Sequence, residues 1–215
     1  MRRASRGVLI AIEGPEGAGK TTLTRRLAGR LRDWGADVVE VREPGGTPVA
    51  EAARRLALDP ALAVSPVAEL FLMLAARADL VSSVIRPALD AGRVVVTDRF
   101  ALSTEAYQVA GRGLPRDAVL EANRLATGEL QPHLTIVLDL PSDVGRARQQ
   151  AEGKSPDRME REEAGWHHRV AQAFGRAAGD AIIHIDATPP AEQVEERAWE
   201  IVRDRLGETF PDGEG

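Results

Sequence analysis

The chain has 215 residues, of which 43% are hydrophobic and 28% are charged, and this composition is that of one globular domain with a sizeable core. The formal net charge of −5 argues against general nucleic-acid binding, and no apolar run is long enough to predict a membrane-spanning segment. The absence of cysteine excludes disulfides, thiolate metal sites and cysteine nucleophiles. We therefore expect a single cytoplasmic domain over residues 1–215, with flexible tails at 1–6 and 208–215.

Five short runs rich in Val, Ile and Leu predict β-strands at residues 8–13, 37–42, 94–98, 134–140 and 181–186. Because each run is nearly continuous rather than alternating, we expect strands that are buried on both faces. Helical patterns lie between the runs, from Lys20 to Gly35 and over 66–91, 115–127, 142–150, 158–178 and 191–206. This order predicts an α/β fold, with a five-stranded parallel sheet and helices on both of its faces.

A glycine-rich segment follows the first predicted strand and fits the phosphate-loop pattern G-x-x-x-x-G-K-[ST]. With the next residue it comprises Gly14, Pro15, Glu16, Gly17, Ala18, Gly19, Lys20, Thr21 and Thr22. The glycines let backbone N–H groups turn toward a phosphate, and the following helix directs its positive end at the same anion. Lys20 would reach the outer phosphates of ATP, and the Thr21 hydroxyl would ligate Mg²⁺. A plain glycine-rich turn is the alternative.

A phosphate loop alone does not define the reaction. Three classes stay open: a kinase for a small acceptor, a nucleotide switch, and a mechanical ATPase. The N-K-x-D segment with which GTP switches read guanine is absent from the sequence. A small anionic acceptor needs only a local basic pocket, so the net charge does not exclude it.

Three residues indicate an acceptor site. Asp98 and Arg99 end the third predicted strand, at the sheet edge where open α/β sheets bind ligands. Asp98 would hold water around Mg²⁺ and Arg99 would bind an anion in bidentate fashion, or the two would form a structural ion pair. Arg77 falls on the apolar stripe of the helix over 66–91, so it either meets an acidic residue inside the protein or faces a ligand pocket.

A third group of polar side chains follows the third strand. Thr104, Tyr107 and Gln108 lie three and four residues apart, near one face of a predicted helix. A hydroxyl, a ring and an amide suit a pocket that reads a polar base and its sugar. A surface helix with a half-buried tyrosine is the alternative.

In these segments the sequence resembles the bacterial thymidylate kinases, in that family's order and spacing. The resemblance rests on residues 14–22, 42–47, 75–77, 98–100, 102–104, 106–108, 111–113, 157–158 and 185–188. It implies a P-loop fold like that of the nucleoside monophosphate kinases. It also implies that ATP and Mg²⁺ are cofactors, that the γ-phosphate passes to dTMP to give dTDP and ADP, and that the chain forms a homodimer.

The resemblance also implies roles for individual residues. Glu16 would approach the 3′-hydroxyl of dTMP, Arg99 would bind its phosphate, and Arg77 would face the thymine. Tyr107 would lie under the sugar and disfavour a 2′-hydroxyl.

Further roles concern the base and the donor. Thr104 and Gln108 would help to read the thymine. Glu43 and Pro44 would form a tight turn with a cis peptide bond, and residues 186–188 would lie near the adenine of ATP.

The sequence departs from the family pattern at two places. Met73 stands where the family usually has a phenylalanine stacked on thymine, while Phe71 lies two residues earlier. In the predicted lid, at about 146–158, Glu152 stands where an arginine is common. The phosphate loop contains no arginine, so we expect the lid to supply the catalytic cation, unless its charges are merely solvated surface groups. The candidates are Arg148, Arg158 and Lys154.

Overall fold

The computed structural model describes residues 7–151, 153 and 155–207. Within these residues, parallel strands form one five-stranded sheet in the order β2-β3-β1-β4-β5. The strands are β1 (Val8–Glu13), β2 (Val38–Arg42), β3 (Val94–Asp98), β4 (Leu134–Asp139) and β5 (Ile182–Asp186). The predicted parallel sheet is therefore confirmed, with each strand end within one residue of its predicted position. The predicted tails, together with Glu152 and Lys154 of the predicted lid, lie outside the described residues.

Helices connect the strands and cover both faces of the sheet. Those that were predicted are α1 (Lys20–Asp33), α3 (Pro66–Leu80), α4 (Arg86–Asp90), α6 (Arg116–Thr127), α7 (Ser142–Ala151), α8 (Ala164–Gly175) and α9 (Ala191–Leu206). α2 (Pro48–Leu58) was not predicted. The short α5 (Ala101–Thr104) continues into a π-helical segment at Glu105–Gly111, which carries the polar face expected around Tyr107.

Two helix predictions need correction. The helix expected over 66–91 is interrupted by a π-helical segment at Val81–Ile85, just before Pro87, which has no N–H to give to a regular helix. The helix expected over 158–178 begins only at Ala164. Before it, the Asp157 carboxylate accepts hydrogen bonds from the N–H groups of Met159 and Glu160, and this local capping favours a turn.

Two separate hydrophobic clusters, one on each face of the sheet, explain why the strands are continuously apolar. Ile10 and Ile12 of β1 pack with α1 and α9 on one face of the sheet. Leu9 and Ala11 of the same strand pack with Leu80 and its neighbours on the other face. Because both faces are covered, the central strands β1, β3 and β4 are buried almost throughout, whereas the edge strands β2 and β5 are only partly buried, contrary to the expectation for all five.

The strand order places the loops that follow β1 and β3 next to each other. The two strands pair in parallel register, with Ile12 opposite Asp98. The phosphate loop and the Asp98–Arg99 segment therefore emerge side by side at the carboxyl edge of the sheet. In the part of the chain that the structure describes, no helix has the length and apolar character that a membrane span requires.

Candidate active site

One cavity of about 770 Å³ opens at the carboxyl edge of the sheet and reaches from the phosphate loop to the π-helical segment at Glu105–Gly111. Among its lining residues, cationic side chains outnumber acidic ones by seven to five, although the whole chain carries a net charge of −5. The cationic side chains are Lys20, Arg25, Arg42, Arg54, Arg77, Arg99 and Arg148. A locally basic cavity of this kind suits phosphorylated ligands.

The phosphate loop forms one end of the cavity. Lys20 is only 7% exposed, and its ammonium donates to the Pro15 carbonyl oxygen at 2.6 Å. Burial, followed by the charge of Arg99, lowers the pKa of Lys20 to about 8. A cation in this condition gains from an anionic ligand, since the ligand would offset both effects. Glu16, Gly17, Gly19, Thr21 and Thr22 also line the cavity, whereas the loop residues Gly14, Pro15 and Ala18 do not.

The phosphate loop is tightly packed against α7. A Cβ atom added to Gly17, whose φ is 72°, would lie 2.2 Å from the Gly145 carbonyl oxygen. A Cβ atom added to Gly145 would in turn lie 2.3 Å from the Glu16 carbonyl oxygen. Only glycine fits at either position without a shift of backbone.

Thr21 and Asp98 bring two oxygen ligands together beside the loop. The Thr21 hydroxyl donates to the Asp98 carboxylate at 2.5 Å. In the described part of the chain, Asp98 thus bonds to Thr21 instead of forming the alternative ion pair with Arg99. Hydroxyl and carboxylate oxygens are ligands that Mg²⁺ accepts, so these residues fit the ion that the sequence predicts.

Arg99 has an unusual backbone and loosely held donors. Its φ of 74° lies in the left-handed region, which a non-glycine residue seldom adopts without a functional reason. The buried Glu13 fixes the following turn by accepting from the N–H groups of Phe100 and Ser103 at 2.8 and 3.1 Å. Arg99 itself donates to Gly14, Ser103 and Glu16, each at 3.3 Å, which leaves its guanidinium available for a closer anion.

Glu16 and Tyr107 lie next to Arg99. The Tyr107 hydroxyl donates to the Glu16 carboxylate at 2.5 Å, and the Arg99 guanidinium stacks 5.0 Å from the centre of the Tyr107 ring. Burial would raise the pKa of Glu16, but the charges of Arg99 and Lys20 hold it below its ordinary value. Glu16 is therefore an ionised acceptor inside the cavity.

Arg77 is a buried structural cation that also lines the cavity. It donates to Glu43 and Asn123 at 2.6 Å, to Thr104 at 2.5 Å and to the Phe100 carbonyl oxygen at 2.8 Å. Of the two interpretations that the sequence left open, the internal ion pair with Glu43 is therefore present. The Glu43–Pro44 peptide bond is cis, as the resemblance implied, and both residues line the cavity.

The side chains expected to read the base also meet at the cavity. Thr104, Gln108 and Met73 line it, and Met73 packs against the core cluster that contains Tyr107. Phe71 is 61% exposed and does not line the cavity, so it does not replace Met73 there.

The two described lid arginines lie in different places. Arg148 lines the cavity and donates to the carbonyl oxygens of Ala187 and Thr188 at 3.0 and 3.1 Å. The family resemblance implied that adenine lies near these residues. Arg158 does not line the cavity. It donates instead to the Ala57 carbonyl oxygen at 2.8 Å and to the buried Glu69 carboxylate at 2.5 Å. The structure thus does not bring Arg158 to the position expected of a catalytic cation.

Sequence reasoning missed other lining residues, above all Arg54. This arginine lies on α2, the helix that was not predicted, and donates to the Pro44 carbonyl oxygen at 3.0 Å. The available signal was Thr47 followed by Pro48, a helix start at which the threonine caps the Ala50 N–H. Gln149, Asp157 and Glu160 also line the cavity on the side of the predicted lid.

The fold and the cavity together define a class of protein. A phosphate loop that shares one basic cavity with an acceptor pocket, on a five-stranded parallel sheet, is the arrangement of a P-loop kinase for small phosphorylated acceptors.

Comparison with known proteins narrows this class to a family. A family model described as thymidylate kinase matches residues 12–198, and the chain belongs to the thymidylate kinase family. It is 44% identical to the thymidylate kinase of Deinococcus radiodurans over 204 residues, which cover 94% of this chain and 98% of that protein. It is 51% identical to the thymidylate kinase of Pseudomonas entomophila over 195 residues, which cover 88% of this chain and 91% of that protein.

Proposed function

We propose that this chain transfers the γ-phosphate of ATP to dTMP, giving dTDP and ADP, as a thymidylate kinase. The observation that carries the proposal is the single cavity that joins the phosphate loop to Arg99 and to the side chains around Gln108. Donor and acceptor phosphates would then face each other within one cavity, and positioning of this kind is a main requirement of phosphoryl transfer.

The proposed mechanism needs no general base. The second pKa of a phosphate monoester is near 6, so the acceptor is largely dianionic at neutral pH. Lys20 would bind the outer phosphates of ATP, Arg99 would bind the phosphate of dTMP, and Arg148 would supply the lid cation. Thr21 and Asp98 would hold Mg²⁺, which neutralises charge on the phosphate oxygens when it is bound.

The remaining side chains would position the nucleoside of dTMP. Glu16 is an ionised acceptor and would bind the 3′-hydroxyl, and Tyr107, which is bonded to it, would pack under the sugar. Met73 would pack on the thymine through its sulfur. Arg77 would act chiefly by holding Thr104 in place, since most of its donors are used inside the protein.

A coupled assay of ADP release over a panel of nucleoside monophosphates tests this function. We expect release that requires dTMP, ATP and Mg²⁺ together. Equal release without any monophosphate would favour the mechanical ATPase, and binding of GTP without transfer would favour the nucleotide switch. The matched variants Arg99→Lys and Arg99→Ala should both raise KM for dTMP. The rise should be smaller for Arg99→Lys, because lysine keeps the positive charge although it lacks the two-pronged guanidinium of arginine.

A homodimer in the cytoplasm is part of the same proposal. α3 packs against both α2 and α6, and these three helices carry exposed apolar side chains. They are Val49, Leu56, Val67, Phe71 and Leu125. We expect light scattering to give a mass twice that of one chain. Phe71→Asp should lower the measured mass toward that of a single chain. Gln193→Asp on α9, across the sheet, is the control and should change nothing.

A further inference from the structure

Glu69 lies behind the acceptor pocket and is fully buried, with an exposed fraction of 0%. It does not line the cavity. Its carboxylate accepts from Gln108 Nε2 at 2.9 Å, from Arg112 Nε and Nη2 at 3.1 and 2.8 Å, and from Arg158 Nη2 at 2.5 Å. Two arginines and one amide thus satisfy a buried charge, while only Gln108 also faces the cavity.

This arrangement fixes which end of the Gln108 amide faces Glu69. Burial would raise the pKa of Glu69, but its hydrogen bonds with Arg112, Gln108 and Arg158 hold it below its ordinary value. An ionised carboxylate can only accept hydrogen bonds, so the amide nitrogen of Gln108 must point to it. The carbonyl oxygen of the amide then points away, and no side chain of the described residues is found donating to it. Since Gln108 lines the cavity, we infer that this carbonyl oxygen is the atom that it presents to a ligand.

The neighbouring Thr104 presents the opposite polarity. Its oxygen accepts from Arg77 Nη1 at 2.5 Å, so its hydroxyl hydrogen remains free to donate. An acceptor at Gln108 and a donor at Thr104 complement a pyrimidine with an N3–H group and a carbonyl at C4. Cytosine offers the reverse, an acceptor at N3 and an amino group at C4.

We propose that Glu69 is a positioning residue that sets the choice of base, because it holds the Gln108 amide with its oxygen toward N3–H and so favours thymine over cytosine. This inference rests on the proposed function and adds to it a residue that touches no substrate. A pocket built around such a hydrogen-bond pattern can reject a mismatched ligand strongly, since the mismatch leaves buried polar groups unpaired.

The test compares Glu69→Gln with Glu162→Gln. Both changes remove one carboxylate from Arg112, whose Nη1 donates to Glu162 at 2.5 Å. Only the first replaces the acceptor of Gln108 by an amide, which can also donate and so no longer fixes the orientation of Gln108. The variants receive dTMP and dCMP in one mixture with ATP, and the ratio of the two kcat/KM values is measured. This ratio does not depend on how much of the variant is folded. We expect Glu69→Gln to lower the preference for dTMP by about 10-fold or more, and Glu162→Gln to leave it unchanged.

A double-mutant cycle separates positioning from a general structural role. If Glu69 acts through Gln108, Glu69→Gln should lower the ratio no further in a Gln108→Ala background. The proposal is overturned if Glu69→Gln leaves the ratio unchanged, or if Glu162→Gln lowers it by the same factor. It is also overturned if Glu69→Gln lowers the ratio as much in the Gln108→Ala background as in the unmodified chain. If Glu69→Gln yields no folded protein, Glu69→Asp takes its place, because it withdraws the carboxylate by one methylene, and an unchanged ratio there also overturns it. Failure of the unmodified chain to release ADP with dTMP would instead refute the proposed function.

Discussion

The close approach of α7 to the phosphate loop predicts that Gly145→Ala lowers stability, whereas helix propensity alone predicts that it raises stability. Gly145 lies inside α7 without a positive φ, so alanine there should by itself favour the helix by about 1 kcal/mol. The added Cβ atom, however, would lie 2.3 Å from the Glu16 carbonyl oxygen, whereas carbon and oxygen approach to roughly 3.3 Å. Either α7 or the phosphate loop must therefore move by about 1 Å.

The size of the effect follows from these two opposing contributions. Overpacking of this kind costs about 1–3 kcal/mol, so the net change in the free energy of unfolding should be a loss of about 0–2 kcal/mol. For a chain of this size, each 1 kcal/mol lowers Tm by about 2–4 °C. A displacement of about 1 Å at the phosphate loop should cost about 10²-fold in kcat/KM for ATP. Kd for dTMP should also rise, because Glu16, proposed to bind its 3′-hydroxyl, belongs to the same loop.

Gly29→Ala provides the matched control. Gly29 lies inside α1, and a Cβ atom added there meets no atom within 4 Å apart from its chain neighbours and the backbone of its own helix. This variant should gain stability and keep its activity, since only the helix-propensity gain operates. Thermal unfolding and steady-state kinetics on the two variants are sufficient. If Gly145→Ala rises in Tm as much as Gly29→Ala and keeps its kcat/KM for ATP, the close packing of α7 on the loop is not important for catalysis.

Three further outcomes are expected. Steady-state kinetics should show that Arg148→Ala lowers kcat by about 10²-fold or more with little change in KM for dTMP, whereas Arg158→Ala keeps kcat near the unmodified value; equal losses would contradict their different positions. Calorimetry should show that Met73→Phe tightens dTMP binding by about 0.5–1.5 kcal/mol through ring stacking, and unchanged binding would speak against a free stacking position. The third outcome concerns His184, which bonds to Asp139 at 2.9 Å and to a backbone carbonyl oxygen at 2.8 Å. Partial burial opposes the charge, but the Asp139 carboxylate raises the pKa of His184 above its ordinary 6.5. The stabilisation is full below that value and lost as pH rises through the folded pKa, so Asp139→Asn should lower Tm more at pH near 6 than near 8; a pH-independent loss would refute the pairing.

The elements that the sequence predicted best are those whose signal is local. Runs of Val, Ile and Leu locate each strand within one residue. The signal is strongest in β1, β3 and β4, which are buried on both faces of the sheet. α2 has no such signal, since it packs through the small side chains of Ala50, Ala53 and Ala57 rather than through a stripe of large ones. Arg54 was missed with the helix that carries it.

The parts of the site that could not be predicted depend on contacts between residues distant in the chain. Arg77 was recognisable as a buried charge, but its partner Glu43 is 34 positions away. Arg158 lies at a position expected of a lid cation. Nothing in the residues around it indicates that it pairs with Glu69, which is 89 positions away. Motif position therefore predicts which side chains are charged, while the three-dimensional pairing decides which of them remain free for a ligand.

The pairing of β1 with β3 also has a mechanical consequence. The phosphate loop and Arg99 extend from neighbouring strands whose backbones are joined in register up to Ile12 and Asp98. A hydrogen-bonded sheet cannot slide without breaking several bonds at once, so the groups proposed to bind donor and acceptor phosphates keep a fixed separation. Any decrease in the distance between the two phosphates must then come from movement of the substrates and of the helices that close over them. The central sheet itself stays rigid.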